Sequence, residues 1–132
     1  QFRGGGRAHG AKTHRASIHF PHRLRRLVLR AVLSDKLRDG RLCILSLPAI
    51  DRPATQRFER FPQRAGLPAG KILFVFEPEA KLAHLSVCNL PNVSSKRALS
   101  ITAYDVLATR TLVLTEKAAD LIANRLKEAA RG

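Results

Sequence analysis

The amino-acid sequence predicts an α/β protein in which helices cover both faces of a mainly parallel, four-stranded sheet, preceded by an extended basic arm. Helical and strand patterns alternate along the chain after residue 20, and such alternation is typical of βαβ units. The chain has 132 residues, of which 45% are hydrophobic, so a single domain can bury a core of its own. We therefore expect an arm over residues 1–20 and one globular domain over residues 21–132.

The first expected helix follows directly from the arm. Pro21 is expected to open it and Gly40 to close it just past Asp39, because proline suits a first turn and glycine suits the position after a last turn. Four apolar residues at the i, i+3, i+4, i+7 spacing are expected to form its buried face: Leu24, Leu27, Val28 and Ala31.

The later elements are predicted from apolar runs, turn residues and helix caps. Buried strands are expected over 41–46 and 71–76, and further strands over 93–98 and 111–114. Helices are expected to start at 51–53, 77–79, Thr102 and Thr115, since acids and hydroxyl caps suit a helix N terminus. Pro62 is expected to break or kink the second helix. The expected apolar face of the last helix is Ala119, Ile122, Leu126 and Ala129.

Positive charge is large in amount and uneven in position. The chain has 24 Lys+Arg against 10 Asp+Glu, a formal net charge of +14. Residues 1–41 contain 11 Lys/Arg and two acids, a net of +9, whereas the other 91 residues have a net of +5. Such an excess indicates a polyanionic partner, more often nucleic acid than an anionic membrane surface.

The arm and the first helix form the predicted RNA-binding surface. The first 34 residues contain eight Lys/Arg and no acid. Arg23, Arg26 and Arg30 fall within about 60° of one another on the helix, taking 100° per residue. The alternative interpretation is that the arm is a disordered tail and that the arginine row of the first helix is only a solvated face. The candidate cationic contacts are Arg3, Arg7, Lys12, Arg15, Arg23, Arg25, Arg26 and Arg30, while His9 and His14 are candidates for stacking on bases or bonding phosphate.

Other kinds of site have little support in the sequence. The spacing of the four histidines at 9, 14, 19 and 22 matches no standard metal site, and neither a metal nor a cofactor is expected. Cys43 and Cys88 lie in apolar runs and are expected to be buried free thiols. No apolar run approaches the ~18–20 residues of a membrane span, so no span is expected.

An enzyme is the alternative of a different class. It would need a converging nucleophile, base or metal set, and the sequence contains no GxSxG, HExxH or Walker motif. Asp105 is expected to cap a helix or to bond locally. We therefore expect no enzymatic activity and no small-molecule substrate, and another basic nucleic-acid-binding α/β protein stays open as the alternative.

Five segments, taken in order and spacing, resemble the bacterial-type ribosomal protein L4 family of the large subunit. They are RGGGRAHG at 3–10, HRLRRLVLRAVLSDKLRDGRL at 22–42, NLPNV at 89–93, AYDVL at 103–107 and RTLVLTEKA at 110–118. The resemblance covers essentially the whole chain, but it covers only the C-terminal two-thirds of the proteins of that family. It implies a three-layer α/β/α sandwich with a four-stranded parallel sheet, and a structural role in the large ribosomal subunit.

The resemblance also implies partners and a location. Family members carry a long basic loop that is buried in large-subunit rRNA and whose tip helps line the peptide exit tunnel, so residues 1–20 resemble its returning limb. The implied partners are this rRNA and neighbouring large-subunit proteins. The residues that match are Arg3, Gly4, Gly5, Gly6 and Arg7 in the glycine-rich part of the loop, and Arg23, Arg25, Arg26 and Arg30 in the basic helix after it.

Some positions depart from the family pattern. Residues 10–13 read Gly-Ala-Lys-Thr where the family prefers Gly-Pro-Lys-Pro, and residues 53–56 read Pro-Ala-Thr-Gln where Pro-Lys-Thr-Lys is usual. Such drift suits an organellar ribosome, with the mitochondrial matrix favoured over a plastid or a bacterial cytoplasm. The family places further elements before this region, so we expect either an upstream portion that is disordered or cleaved, or a separate polypeptide that supplies it.

Overall fold

The computed structural model describes residues 3–6, 10, 13, 18–47 and 50–128 of the chain. Helices and strands alternate through this part as the sequence predicts, and each strand agrees with its expected bounds to within one residue at either end. In chain order the elements are α1 (His22–Arg38), β1 (Leu42–Leu45), α2 (Thr55–Arg64), β2 (Ile72–Phe76), α3 (Lys81–Val87), β3 (Val93–Arg97), α4 (Ala103–Leu107), β4 (Thr111–Thr115) and α5 (Glu116–Glu128).

The four strands form one parallel sheet in the order β1-β4-β2-β3, which confirms the predicted sheet. The two central strands, β2 and β4, are buried along their whole length, and Ile72 of β2 lies opposite Thr111 of β4. Among the described strands β1 pairs with β4 alone, and its Ile44 is 62% exposed. The expectation that β1 is buried is therefore wrong, because the strand lies at an edge of the sheet.

Two hydrophobic cores separate three layers. Alternate residues of a strand point to opposite faces of its sheet, so Leu73 and Val75 of β2 meet α1, α4 and α5 on one face. Phe74 and Phe76 meet α2 and α3 on the other face. There Phe58 of α2 approaches these two rings edge to face, with centroids 5.5 and 5.8 Å apart, an arrangement that aromatic pairs favour. The three-layer α/β/α sandwich is thus confirmed.

Helix α1 buries a different stripe from the expected one. Leu29 is 2% exposed, and Val32 and Leu33 pack partly against the same core. Leu24 and Leu27 are instead 44% and 62% exposed. The observed stripe lies about 140° around the helix from the expected one, taking 100° per residue. The expected buried face of α1 is therefore wrong as a whole. It consisted of Leu24, Leu27, Val28 and Ala31.

A lysine ends the buried stripe of α1. Lys36 is 7% exposed, and its Nζ donates hydrogen bonds to the carbonyl oxygens of Thr109 and Arg110 at 2.6 and 3.2 Å. A buried ammonium is costly unless it is hydrogen-bonded, and these two carbonyls provide the bonds. Lys36 thereby fastens α1 to the segment that enters β4. Because a lysine is normally assigned to solvent, this contact hides the true buried face from a periodicity argument.

Three helix boundaries differ from the expected ones. Helix α2 begins at Thr55 and not at residues 51–53, because Ala54 before it has a non-helical backbone with φ −128° and ψ 66°. Pro62 does not end α2, which continues to Arg64; the proline lies in the last turn, where its missing N–H costs one bond to the carbonyl of Phe58. Helix α3 begins at Lys81 and not at residues 77–79. Glu77 is bound to β4 instead, because its Oε2 accepts a hydrogen bond from Thr115 Oγ1 at 2.7 Å.

Both cysteines are free thiols, but they are less buried than expected. Cys43 is half-buried and Cys88 is exposed. The first lies on the edge strand β1, and the second ends α3 at the surface. The expectation that both are buried is therefore wrong.

The predicted helix caps are confirmed. Thr115 Oγ1 accepts from the backbone N–H of Ala118 at 3.3 Å at the start of α5. On α5, Ile122 is buried and Leu126 packs partly against the core, as does Ala119. Ala129, the fourth residue expected on this face, lies outside the described residues.

We predict that Leu29→Ala lowers the free energy of unfolding by about 2–5 kcal/mol, because it removes a fully buried side chain from the core under α1. Leu27→Ala changes the same residue type on the same helix at an exposed position, and should stay within about 0.5 kcal/mol of the parent. Urea denaturation followed by circular dichroism measures both. Equal destabilisation by the two changes would contradict the observed rotation of α1.

Candidate nucleic-acid interface

The glycine-rich part of the arm is exposed where the structure describes it. Arg3 and the glycines at 4–6 are all exposed. Gly4 and Gly5 have φ angles of 102° and 74°, values that residues other than glycine rarely adopt. Five predicted contact residues lie outside the described residues: Arg7, His9, Lys12, His14 and Arg15.

The four arginines in the first half of α1 are exposed. Two ion pairs occur among the described residues, Arg41 with Asp39 at 3.3 Å and Lys96 with Asp105 at 3.5 Å. Neither pair involves α1 itself, so within the described part no acid neutralises these cations. They are Arg23, Arg25, Arg26 and Arg30.

Charge is more concentrated on α1 than on the helices of the opposite layer. The sequence of α1 has a net charge of +5, whereas those of α2 and α3 have +2 and +1. A cationic surface that no acid neutralises attracts phosphate and raises the association rate of a polyanion. In its own layer α4 has a net charge of −1 and α5 has none, so the two layers differ little in net charge. The favoured surface for a polyanionic partner is therefore α1 itself, where the exposed arginines are clustered.

Side chains from α1, α4 and α5 line a groove of about 480 Å³ that we call the α1–α4 groove. Arg25 and Arg26 line it from α1, Tyr104 lines it from α4 and Arg125 lines it from α5. Phe20, just before α1, also contributes to it. Arginines predicted from the sequence are therefore placed beside an aromatic ring and a further arginine that the sequence did not single out.

Hydrogen bonds fix the α4 side of the groove. Thr102 Oγ1 accepts from the N–H of Asp105 at 3.3 Å, and Asp105 Oδ2 accepts from the N–H of Thr102 at 3.1 Å. This reciprocal capping box confirms that Asp105 bonds locally. Arg125 Nη1 donates to the carbonyls of Leu99 and Ile101 at 3.1 and 3.4 Å, so it holds the segment that leads into α4.

Sequence reasoning missed Tyr104 and Arg125 as candidate contact residues. Tyr104 is the only tyrosine of the chain, and its predicted place on a short helix carried no sign of a partner. Roughly 80 and 100 positions separate Arg25 from these two residues, so a spacing argument does not bring them together. An isolated tyrosine in a chain with few aromatic residues was the one available signal.

The carboxyl ends of the strands, where α/β folds commonly bind ligands, show no assembled catalytic set in the described part. Glu77 is held there by Thr115. His84 Nδ1 lies 2.6 Å from Ser95 Oγ, but no carboxylate of the described residues bonds to that histidine. Nor do these residues include a group of three or more His, Cys, Asp or Glu able to hold a metal. None of the described helices has the length and apolarity to cross a membrane.

The fold and the exposed arginines define a basic α/β domain whose first helix carries a cluster of cations. The chain belongs to the ribosomal protein L4/L1 family, whose family model matches residues 1–125. The description of the family names ribosomal proteins and no enzyme.

Three relatives show the extent of the similarity, and all three are named large ribosomal subunit protein uL4. That of Xanthobacter autotrophicus is 35% identical over 127 residues, which are 96% of this chain and 61% of the relative. Those of Caulobacter vibrioides and Aquifex aeolicus are each 33% identical, over 97% and 96% of this chain. The chain spans 60–64% of the length of these curated relatives.

We predict that changing Arg23, Arg26 and Arg30 together to Glu weakens binding to large-subunit rRNA by about 100-fold or more, because carboxylates then face phosphate. The three positions are exposed, so the thermal unfolding midpoint should change little. Filter binding and circular dichroism measure the two effects.

The opposite layer provides a control with matched geometry. Arg57, Arg60 and Arg64 on α2 are exposed and have the same i, i+3, i+7 spacing. Changing them to Glu alters the net charge equally, but it should weaken binding far less. Equal losses from the two triple variants would mean that net charge, and not the face of α1, governs binding.

Proposed function

We propose that this chain is a structural constituent of the large ribosomal subunit that binds large-subunit rRNA through residues 1–20 and the first half of α1. The observation that carries the proposal is the exposed arginine cluster of α1, which has no acidic partner among the described residues and continues an arm without acids. The names of the relatives support the same assignment. Neighbouring large-subunit proteins are the other proposed partners.

The contacts are proposed to be made mainly to phosphates. The guanidinium fork of arginine matches the geometry of phosphate oxygens, and phosphate contacts fix the position of a protein on RNA without reading its sequence. A location near the peptide exit tunnel rests on the family resemblance of the arm. In that location the positive φ angles of Gly4 and Gly5 suit a backbone that approaches RNA closely.

We also propose the mitochondrial matrix as the compartment. The departures at residues 10–13 and 53–56 from the family pattern support an organellar ribosome, while the relatives described above are bacterial proteins. Fractionation of the source cells, with an antibody against the chain, should find it in mitochondrial large subunits. Its recovery in plastid or bacterial ribosomes would overturn the compartment but not the ribosomal role. The separate polypeptide suggested by the resemblance stays a prediction.

We predict a steep salt dependence of rRNA binding to which the arm contributes. Each phosphate contact contributes about 0.7–0.9 to the slope of log K against log salt. Replacing Arg3, Arg7, Lys12 and Arg15 by Gln keeps the length of the arm and should flatten the slope by up to about 3. Fluorescence anisotropy at a series of salt concentrations measures the slope.

A second variant separates the arm from charge in general. Changing Arg57, Arg60 and Arg64 of α2 to Gln removes three exposed cations in the layer opposite α1, and this should leave the slope nearly unchanged. An unchanged slope in the arm variant would count against the arm as an RNA contact. Failure of the parent chain to bind rRNA or to sediment with large subunits would overturn the function itself.

A further inference from the structure

We propose that the α1–α4 groove binds one unpaired nucleotide of the RNA, with its base stacked on Tyr104 and its phosphates held by Arg25 and Arg26. The inference rests on the proposed function and specifies what part of an RNA this site takes. It assigns to α4 and α5 a role in recognition, in addition to their packing on the sheet.

The size of the groove suits a single nucleotide. Its volume of about 480 Å³ lies within the range of roughly 300–1,000 Å³ that is typical of sites for small molecules. Three helices surround it on one face of the sheet. A base that is still paired in a helix cannot enter a concave site of this size, so the occupant has to be unpaired.

The charge of the groove suits the phosphates of that nucleotide. Arg25 and Arg26 stand side by side in the sequence of α1, and both line the groove and are exposed. Arg125 lines it from α5, although its guanidinium already donates to two backbone carbonyls. None of the described residues that line the groove is an Asp or a Glu. The nearby carboxylate of Asp105 is bonded to Thr102 and paired with Lys96, so part of its charge is compensated.

Tyr104 supplies a surface on which a base can stack. The residue is 77% exposed, and within the described part of the chain its ring forms no stacked or edge-to-face pair, although Phe20 lines the same groove. All four bases have a flat face that can stack on an aromatic ring, and this contact contributes binding energy without sequence preference. The exposed ring therefore lines the same groove as two arginines, and aromatic rings combined with cations are how proteins hold single-stranded nucleic acid.

The groove is held in shape before any RNA arrives. The capping box between Thr102 and Asp105 fixes the first turn of α4, which carries Tyr104. The bonds of Arg125 to Leu99 and Ile101 fix the segment before that turn. A preorganised site loses less conformational entropy on binding than a mobile one, so the backbone that carries Tyr104 needs no reordering when RNA binds.

Two RNA hairpins test the proposal with the full chain. One has a single bulged adenosine in its stem, replaced by fluorescent 2-aminopurine for a second readout, and the other has the same stem without the bulge. The parent chain should bind the bulged hairpin about 5- to 150-fold more tightly, which is the gain in affinity expected from stacking one base on an aromatic ring. Binding should also quench the 2-aminopurine fluorescence. Equal affinity for both hairpins would overturn the proposal.

Variants of α4 identify the ring as the cause. Tyr104→Ala should abolish the preference and the quenching, whereas Tyr104→Phe keeps an aromatic face and should retain both. Leu107→Ala, a control on the same helix at a residue that is 60% exposed and does not line the groove, should also retain both. Retention of the preference by Tyr104→Ala would overturn the proposal.

The remaining outcomes separate this inference from the proposed function. If the parent binds both hairpins equally and with a steep salt slope, the stacking site is overturned while RNA binding stands. If it binds neither hairpin nor rRNA, both proposals fall. Adenosine monophosphate at the concentration of the hairpin should not displace it, and displacement would show a site for free nucleotides in place of an RNA site.

Discussion

The rotation of α1 about its own axis is the constraint on which the cationic surface depends. Leu29 is buried in the core above the sheet, and Lys36 donates to the carbonyls that follow α4. These contacts leave Arg23 and Arg30 exposed and place Arg25 beside the groove. A rotation by one residue, about 100°, would turn an arginine towards the sheet and lose both anchors.

The two outer layers of the sandwich carry different kinds of surface. The layer formed by α2 and α3 covers an aromatic core in which Phe58, Phe74 and Phe76 meet edge to face or stacked, and its helices have modest positive charge. The layer formed by α1, α4 and α5 combines the arginine cluster, the groove and Tyr104. A polyanion therefore has a reason to approach the arginine cluster of α1 and the groove beside it.

Most of the fold could be predicted from the sequence because its signals are local. Apolar runs bounded by glycine, such as residues 71–76, and caps such as Thr102 and Thr115 depend on neighbours in the chain. The buried face of α1 could not be predicted, because two apolar stripes run along this helix and the buried one includes Lys36. The carbonyls that make this burial tolerable come from a segment more than 70 positions away.

The candidate site divides in the same way. The arginines of α1 stand in one run of sequence without acids, so composition and helical periodicity identified them. The groove depends on the strand order, in which β4 pairs with β1 and thereby sets α4 and α5 next to α1. The sequence pattern of a single helix does not predict which helices pack beside it. Tyr104 therefore becomes a candidate contact residue only when the positions of α1, α4 and α5 are known.

The central claim is that RNA lies against the layer of α1, α4 and α5, and cleavage of rRNA from tethered iron tests it most directly. In one variant Leu27 of α1 is changed to Cys and both native cysteines are replaced. In another variant Cys43 is replaced, so that Cys88 is the single cysteine; it is exposed at the end of α3 in the opposite layer. Iron coupled to each thiol produces hydroxyl radicals that cut nearby RNA in the reconstituted complex. The account predicts strong cuts from residue 27 and weak or no cuts from Cys88. Strong cuts from Cys88 together with none from residue 27 would contradict it.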